Sequence, residues 1–342
     1  MCGDAMICNQ GIGAAVKSME QSDETWLITG GLGYIGAHVA RALIDNGFNV
    51  VILDNLSTGL FSRKPNASIF VEGDVQNSRL VKEVCNQYKV VGVIHLASYK
   101  HARESRINPL KYWVNNVGGT LGLVQGIQGT EVSKVIFSSS CSIYGDNAEV
   151  FEGSEDNPQS TYAQTKKVSE DILLQTLPPQ NITLINLRFF NVIGCDDFMD
   201  SHDKSQECLV PVIANHLLTQ TPFRIFGTEH PTKDGTCVRD YIDVRDLARA
   251  HALLAKVIGT RKVQTIVNVS TGTPSSVLQV LQEFEKVVGK EIRYLDLPAD
   301  PADPIAIWSQ QSEALRGLGW IPEFRLNDSI KSHWLSLTQS PG

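Results

Sequence analysis

Tyr162 and Lys166 stand four residues apart, downstream of a glycine-rich run from Gly30 to Gly36 and a serine run from Ser138 to Ser140. On a helix, residues at positions i and i+4 share one face, so an ammonium can lie beside a phenol. The positive charge would favour the phenolate, and a group that ordinarily titrates near pH ~10 would become a usable base. By itself, such a pair is also typical of a helix face that is exposed to solvent. Together with the glycine and serine runs, it indicates redox chemistry on a dinucleotide.

The glycine run lies between a short apolar segment, residues 25–29, and a segment with helical spacing, residues 35–46. A strand predicted over residues 48–54 would close a βαβ unit of about thirty residues. In such a unit, glycines permit the tight turn and the close approach of pyrophosphate, and Gly36 allows the helix to pack against the strand. Asp54, at the end of the second strand, can accept ribose hydroxyls and would repel a 2′-phosphate. These features favour NAD over NADP.

The alternation of strands and helices continues along the chain. Further strands are predicted over residues 68–72, 90–96, 134–138 and 182–188, and helices over residues 78–88, 113–125 and 162–176. This pattern predicts an α/β protein with a Rossmann-type doubly wound parallel sheet. A chain of 342 residues exceeds one ordinary domain, so two closely joined lobes are expected.

The predicted domains are a flexible extension over residues 1–24, an NAD-binding Rossmann domain over residues 25–190, and a smaller α/β substrate-binding lobe over residues 191–342. Some segments of that lobe are expected to return to the Rossmann domain. The cleft between the lobes is the expected active site. A small docking or regulatory arm is the alternative reading of the extension.

Charge and cysteine content exclude several classes of partner. The formal net charge is -7 and the basic residues form no run, which argues against a nucleic-acid partner. The longest apolar runs are too short to cross a bilayer, so no membrane association is expected. Seven cysteines form no Cys-x-x-Cys pair and no cluster with zinc spacing, and the histidines make no ligand set. We therefore expect no metal, reduced thiols and a cytoplasmic location.

From about residue 25 to residue 334 the chain resembles the UDP-glucose 4-epimerases, a branch of the extended short-chain dehydrogenases/reductases. Beyond the glycine run, the resemblance is carried by residues 54–57, 73–75, 95–100, 104–105, 115–120, 137–145, 188–191, 225–227 and, above all, 231–242. The last of these segments is distinctive of the epimerase branch.

The resemblance implies a mechanism and a cofactor site. Tyr162, as phenolate, would take the proton of a sugar 4-hydroxyl while the C4 hydride passes to NAD, and the 4-keto sugar would turn over and receive the hydride on its other face. Ser140 would hydrogen-bond the same oxygen and relay the proton, and Lys166 would also fix the nicotinamide ribose. The cofactor would stay bound throughout. The implied cofactor-binding residues are Gly30, Gly33, Tyr34, Ile35, Gly36, Asp54, Asn55, Asp74, Val75, Leu96, Ala97, Lys100, Asn115, Tyr162, Lys166 and Phe190.

The resemblance also implies a nucleotide-sugar substrate and a homodimer. It assigns Asn191 and Arg239 to the diphosphate, and Phe226 and Tyr241 to uridine. A structural ion pair with a neighbouring aspartate is the alternative for Arg239. Two helices per subunit, near residues 112–125 and 161–176, would join the dimer. The full implied substrate set is Ser140, Tyr162, Asn191, Leu209, Phe226, Arg239, Tyr241, Asp303 and Ile307.

Some positions depart from the epimerase pattern. Asp300 stands where the family has an arginine that grips the diphosphate, and Cys208 stands where it has an asparagine. Ile307 occupies the position that gates the sugar pocket, where its size is intermediate. The identity of the sugar, and of the base, therefore stays open, and a specialised pathway is a reasonable setting.

Related enzymes and a different class provide the alternatives. Sugar-nucleotide 4,6-dehydratases and UDP-glucuronate decarboxylases carry an acid shortly after the catalytic serine or threonine, whereas residues 141–143 here are Cys, Ser and Ile. A cysteine after the serine is similar to the GDP-fucose synthases, which combine epimerisation with reduction by NADPH, but Asp54 argues against them. A non-catalytic nucleotide sensor is the third alternative. A sensor would have little use for a phenolate, so we expect a redox epimerase.

Overall fold

The central sheet is built from segments that are apolar along nearly their whole length, as strands covered by helices on both faces must be. The first such segment, Thr25–Thr29, buries four of its five residues. The computed structural model describes residues 23–198, 200–260, 265–299 and 303–338. The predicted extension over residues 1–24 therefore lies almost wholly outside the described residues.

The strands and helices follow one another in α/β alternation through the first half of the chain. The strands are β1 Thr25–Thr29, β2 Asn49–Asp54, β3 Ile69–Glu72, β4 Val90–His95, β5 Lys134–Ser140, β6 Glu149–Val150, β7 Thr183–Phe189, β8 Asn191–Ile193, β9 Phe223–Phe226, β10 Val238–Asp243, β11 Ile266–Val269, β12 Pro274–Ser276, β13 Tyr294–Leu297 and β14 Ala306–Ser309. The helices are α1 Tyr34–Asp45, α2 Ser78–Gln87, α3 Ala102–Ile107, α4 Pro109–Tyr112, α5 Gly118–Ile127, α6 Thr161–Thr176, α7 Leu209–Thr219, α8 Val244–Val257, α9 Val277–Val288, α10 Glu313–Gly317 and α11 Leu326–Thr338. A π-helical segment, Trp113–Val117, joins α4 to α5.

The large sheet is parallel, with strand order β11-β7-β5-β4-β1-β2-β3. The chain runs outward from β1 to β3 and then returns to β4 on the other side of β1, which creates a topological switch point between β1 and β4. In open α/β sheets, ligands bind in the crevice beyond the carboxyl ends of the strands at such a point. The predicted fold class is confirmed.

The predicted boundaries differ from the observed ones by one or two residues for most elements. Two of the differences have a structural reason. β5 continues through Ser140, because the serines pair with β7 as far as Phe189. The helix predicted from residue 113 begins at Pro109, a residue that fits the first turn because its missing N–H would have no partner there.

The second half of the chain divides between the two lobes. β10 pairs in parallel with β8 and β14 and antiparallel with β12, and β14 also pairs with β6. α7, α9 and α11 pack on a separate apolar core beside this sheet. In contrast, β11 lies at the edge of the large sheet, and α8 packs against α1 in its core.

A buried ion pair fastens α6 to the large sheet. Arg188, on β7, donates from Nε to Oε1 of Glu170 at 3.0 Å and from Nη2 to Oε2 at 2.6 Å, and both side chains are 1% exposed. Arg188 also donates from Nη1 to Oδ1 of Asp156 at 2.7 Å. Because the pair is bidentate and fully hydrogen-bonded, its attraction can offset the cost of removing both charges from water. The pair sets the position of α6 against β7.

Among the described residues, no helix has both the length and the apolar character needed to cross a membrane.

We expect Arg188→Met to lower the free energy of unfolding by about 3–5 kcal/mol, because Glu170 would be left as an unpaired buried carboxylate. Chemical denaturation measures this value. Lys167→Gln is the matched control, since Lys167 shares Asp156 with Arg188 but lies nearer the surface. The control should lose less than about 1 kcal/mol. An equal, small loss in both variants would contradict a structural role for the pair.

Candidate active site

A cavity of about 600 Å³ lies beyond the carboxyl ends of the parallel strands and extends to the smaller lobe. This volume is in the range of small-molecule sites. The cavity brings together almost all of the residues singled out from the sequence: Gly30, Gly33, Tyr34, Ile35, Gly36, Asp54, Asn55, Asp74, Val75, Leu96, Ala97, Lys100, Asn115, Ser140, Tyr162, Lys166, Phe190, Asn191, Leu209, Arg239, Tyr241, Asp303 and Ile307. Phe226 is the exception: it does not line the cavity, it is 40% exposed, and its ring faces the Arg103 guanidinium at 5.5 Å.

The N-terminus of α1 forms one end of the cavity. Gly33 caps this helix without a side-chain hydrogen bond, so N–H groups of the first turn remain available to an anion. A Cβ on Gly36 would stand 2.2 Å from the Gly30 carbonyl oxygen, so only glycine allows the helix this close to the turn. This end of the cavity fits a pyrophosphate.

Asp54 lies at the end of β2 next to this turn. Its Oδ2 accepts the Leu32 N–H and its Oδ1 accepts the Leu56 N–H, both at 2.9 Å. Burial raises the pKa of Asp54, and the two N–H donors oppose that rise. Beyond it, Asn55 Nδ2 donates to Asp74 Oδ2 at 2.8 Å. Each carboxylate keeps lone pairs for ribose hydroxyls, which fits the adenosine half of NAD.

Tyr162 and Lys166 are set on the first turns of α6. Ser160 caps the helix by accepting the Ala163 N–H at 3.1 Å, and Ser105 accepts the Tyr162 N–H at 3.0 Å. Lys166 Nζ donates to Ser98 Oγ at 2.8 Å and to the Ser138 carbonyl at 2.7 Å, 6.0 Å from the Tyr162 ring centroid. The helical spacing places both side chains in the cavity.

The sequence predicted that Lys166 lowers the pKa of Tyr162. In the structure, the protein groups together raise that pKa instead. Burial raises the pKa of Tyr162 to about 12, although the Ser140 hydroxyl, as a hydrogen-bond partner, and the Lys100 charge lower it. Burial also lowers the pKa of Lys166 to about 7, and the charge of Glu170 opposes that lowering. Burial opposes charge on both groups, and that effect outweighs their proximity.

Ser142 orients Ser140, and the sequence analysis assigned it no role. Ser140 Oγ accepts from Ser142 Oγ at 2.9 Å and from the Ser142 N–H at 3.2 Å. A hydroxyl has two acceptor sites, and both are used here. The proton of Ser140 is therefore left to donate towards Tyr162. A Ser-x-Ser pair that begins at the last residue of a strand is the sequence signal for this arrangement.

Lys100 forms an ion pair that the sequence did not reveal. Its Nζ lies 2.9 Å from Oδ2 of Asp203, in the irregular segment between β8 and α7. Asp203 also lines the cavity. No periodicity or motif marked this aspartate, because the segment that carries it has no regular secondary structure.

The smaller lobe supplies the other wall of the cavity. Arg239 Nη1 donates to the Val238 carbonyl at 2.8 Å and pairs with neither nearby acid, so the alternative of a structural ion pair was wrong. Asp240 accepts instead from Thr271, and Asp243 pairs with Arg245. The Arg239 guanidinium therefore remains available to a phosphate.

Ile307 is 3% exposed and packs with Cys141, Tyr144, Val150 and Phe190 in a small apolar cluster at the cavity wall. Cys208 lines the cavity as well, and burial raises the pKa of its thiol. Asp300 lies outside the described residues. The two described positions that depart from the family pattern, 208 and 307, thus both line the cavity.

The cysteines of the described part of the chain are free thiols, at positions 85, 141, 195, 208 and 237. In the same part of the chain, no three or more His, Cys, Asp or Glu side chains are grouped as a metal site. His95, which lies beside the cofactor crevice, is hydrogen-bonded through Nδ1 to Thr29 Oγ1 at 2.7 Å.

Fold and cavity together define a dinucleotide-binding protein of the extended short-chain dehydrogenase/reductase class. Comparison with known proteins supports this class. The model of the NAD dependent epimerase/dehydratase family matches residues 26–270. The UDP-glucose 4-epimerase of Lactobacillus helveticus is 34% identical over 314 residues, which are 90% of this chain and 95% of that protein.

Two further relatives extend the likeness. The putative UDP-arabinose 4-epimerase 4 of Arabidopsis thaliana is 32% identical over 342 aligned positions, covering 94% of this chain and 78% of that protein. The crystal structure of the UDP-glucose 4-epimerase of Bifidobacterium longum, in complex with NAD+ and UDP, has a TM-score of 0.86 and 30% identity, and the match covers 93% of this chain and 99% of that one. The chain belongs to the NAD dependent epimerase/dehydratase family, and NAD is its cofactor.

We expect Gly36→Ala to weaken NAD binding at least about tenfold, a loss of only about 1.4 kcal/mol. The added Cβ would meet the backbone of Gly30 and Gly31, neither of which can move aside. Titration calorimetry with NAD measures the effect. Gly317→Ala is the control, since a Cβ on this glycine of α10 meets nothing within 4 Å. Wild-type affinity in Gly36→Ala would contradict the assignment of this turn.

Proposed function

We propose that this protein is a redox 4-epimerase of nucleotide sugars, with a UDP-sugar as the substrate. The observation that carries the proposal is the meeting of Ser140, Tyr162 and Lys166 with the dinucleotide crevice in one cavity. Relatives named as UDP-glucose and UDP-arabinose 4-epimerases, alike over nearly the whole chain, support it. Because Ile307 is intermediate in size at the position that gates the sugar pocket, both plain and N-acetylated UDP-sugars are candidate substrates.

In this mechanism Tyr162 is the base that takes the proton of the sugar 4-hydroxyl. Ser140, whose two acceptor sites are occupied by Ser142, donates its hydroxyl proton towards the Tyr162 oxygen and favours the phenolate. To relay a proton from the sugar 4-hydroxyl, Ser140 would first exchange one of its Ser142 contacts for that hydroxyl. NAD, when bound, supplies the acceptor for the C4 hydride and the positive charge that favours the phenolate. The 4-keto sugar would turn over in the cavity, and Tyr162 would return the proton to its oxygen as the hydride is given back on the opposite face. Substrate and product are therefore interconverted with no net redox change.

The nucleotide would bind away from the reacting carbon. Arg239 and Asn191 meet the diphosphate, and Leu209 and Tyr241 line the wall towards the uridine. Binding energy from this remote part of the substrate can hold it while the sugar rotates. Phe226 is not among the residues that line the cavity, whereas Asp303 lines it.

For the cofactor, we assign Gly30, Gly33 and the start of α1 to the pyrophosphate, and Asp54 and Asn55 to the adenosine ribose. Asp74 and Val75 lie towards the adenine, and Lys100 and Asn115 towards the nicotinamide half. Lys166 fixes the nicotinamide ribose. The remaining assigned residues, Tyr34, Ile35, Gly36, Leu96, Ala97 and Phe190, line the same crevice. We place the boundary between the Rossmann domain and the substrate lobe near residue 190, and propose a cytoplasmic location, consistent with the free thiols.

Tyr162→Phe tests this function. We expect it to lose epimerase activity by about 10²–10⁴-fold, because the phenol oxygen that exchanges the proton is gone, and to keep its bound NAD. Proton NMR of the anomeric signals, with UDP-glucose, UDP-galactose, their N-acetyl forms and UDP-glucuronate and no added cofactor, measures the conversion. A wild-type protein that retains NAD and converts none of the sugars would contradict the proposal. Conversion to a dehydrated sugar would favour a dehydratase, and unchanged ligand binding without turnover would favour a sensor.

We further propose a homodimer joined through α4, α5 and α6. Leu110, Val114 and Leu121 are 73%, 54% and 44% exposed and follow one another at near-helical spacing. Such an apolar stripe is costly to leave in water and is typical of an interface. The stripe lies on the helical segment that the family resemblance assigns to the dimer.

Val114→Asp should convert the dimer to a monomer, since a charge at the centre of the apolar stripe would be buried without a partner. Size-exclusion chromatography with light scattering measures the mass. Ile321→Asp is the control, because Ile321 is 56% exposed but lies apart from the stripe, near α10. A wild-type monomer, or a dimer that survives Val114→Asp, would contradict this interface.

A further inference from the structure

The segment that joins β8 to α7 starts and ends in the smaller lobe, but much of it is bonded to the Rossmann domain. We call its residues 196–198 and 200–205 the crossing segment. They form no regular helix or strand, and Asp203, Lys204 and Ser205 line the cavity. The chain then enters α7 at Leu209. The contacts of the crossing segment therefore decide how the two lobes meet at the cavity.

Arg63 is the most buried fastening of the crossing segment. It ends a short 3-10 turn that follows β2, and it is 3% exposed. Its Nε donates to the Asp200 carbonyl at 2.7 Å, and its Nη2 donates to the His202 carbonyl at 3.0 Å. Its Nη1 donates to the Leu32 carbonyl of the glycine turn at 3.4 Å. One guanidinium thus joins the crossing segment to the turn that fits a pyrophosphate. Beside it, Ser62 Oγ donates to Asp200 Oδ2 at 2.5 Å.

Phe198 is a second fastening, and it lies outside the cavity. The guanidinium carbon of Arg41 is 3.4 Å from the centroid of the Phe198 ring, and the His38 ring centroid is 4.7 Å from it. Arg41 and His38 both belong to α1. The Asp196 N–H also donates to His38 Nε2 at 3.2 Å. None of these four residues lines the cavity, so their contacts hold the crossing segment without touching what the cavity contains.

The fastenings lie on both sides of the cofactor crevice. Asp203 pairs with Lys100 at 2.9 Å. Lys100 follows β4, α1 follows β1, and Arg63 follows β2. These three strands are neighbours in the large sheet, in the order β4-β1-β2. The crossing segment therefore spans the carboxyl ends of the strands at the switch point, which is where a dinucleotide binds in such a fold.

We propose that the crossing segment is a gate on the NAD crevice. Fastened by Arg63 and Phe198, it closes over the bound cofactor, and NAD enters and leaves only when these contacts open. Arg63 is thereby a positioning residue for cofactor retention. The smaller lobe takes part in that retention, although the glycine turn and Asp54 belong to the Rossmann domain. The inference rests on NAD as the cofactor and not on the epimerase reaction.

Two rate constants distinguish a gate from a direct contact with NAD. Weaker fastening raises the open population of the segment both with and without NAD. The association and dissociation rate constants then rise together, and Kd changes little. The loss of a direct contact raises the dissociation rate constant alone, so Kd rises in proportion.

The test is the release of NAD from the loaded protein. An excess of an NAD-dependent alcohol dehydrogenase with ethanol captures the released NAD, and the absorbance of the NADH formed gives the dissociation rate constant. Titration calorimetry gives Kd. We expect Phe198→Ala to raise the dissociation rate constant at least about tenfold, with Kd within about threefold of the wild-type value, because the contacts of the ring are lost outside the cavity. Phe198→Tyr, which keeps the ring, should restore slow release.

Phe61→Ala is the matched control. Phe61 is 60% exposed, precedes Ser62 and Arg63, and packs on Phe70 instead of the crossing segment. It does not line the cavity. This variant should release NAD at the wild-type rate.

Arg63→Met should release NAD faster still, since it removes both bonds to the carbonyls of the crossing segment. Because Arg63 also lines the cavity, Ser62→Ala is measured beside it. Ser62→Ala removes the bond to Asp200 from outside the cavity and should raise the dissociation rate constant by about threefold with Kd unchanged. If Arg63→Met fails to fold, Phe198→Ala and Ser62→Ala decide the result.

Three results would overturn the inference. The first is wild-type release of NAD in both Phe198→Ala and Ser62→Ala. The second is a faster release that is matched by an equal rise in Kd, which indicates a lost contact with NAD. The third is an equally fast release in Phe61→Ala, which indicates general loosening. The measurement uses no sugar, so a protein that releases NAD as expected and converts no sugar would contradict the proposed function alone.

Discussion

The buried ion pair between Arg188 and Glu170 is the constraint on which the geometry of the active site depends. Glu170 lies one turn beyond Lys166 on α6, and it also accepts the hydroxyl of Ser139, which stands between the two serines of β5 that face the site. α6 is therefore tied to β5 and β7 at the level of the reacting groups. A buried pair of this kind stabilises only with its full set of hydrogen bonds, because any lost bond leaves a charge without compensation. These contacts fix α6, and Tyr162 with it, relative to Ser140.

Burial orders the site, but it also disfavours the charged side chains that the reaction requires. Burial raises the pKa of Tyr162 and lowers the pKa of Lys166, so it favours the neutral form of each. Proximity alone therefore does not make the pair a phenolate and an ammonium. Among the protein groups, the Ser140 hydroxyl and the Lys100 charge lower the pKa of Tyr162, and bound NAD would add a further positive charge.

Local patterns predicted the parts of the fold whose residues are close in sequence. The β1–α1–β2 unit could be located because the apolar periodicity, the glycine spacing and Asp54 all occur within about thirty residues of each other. The strands of the smaller lobe were not located, since several are three or four residues long and pair with partners far along the chain, as β14 does with β6. A short strand has too few side chains to show a period. For the same reason, the return of β11 to the large sheet was expected only in general terms.

By itself, the amino-acid sequence determined the α/β class, the crevice for NAD and the residue types of the reacting set, because each depends on local spacing: three to four residues on a helix, or a glycine where a side chain cannot fit. Only the tertiary structure decided which charges face those residues. It paired Lys100 with Asp203, committed Lys166 to Ser98 and Ser138, left Arg239 unpaired by acids, and placed Phe226 outside the cavity. The physical reason is that electrostatic energies depend on distances in space and on burial, and neither is encoded by separation along the chain.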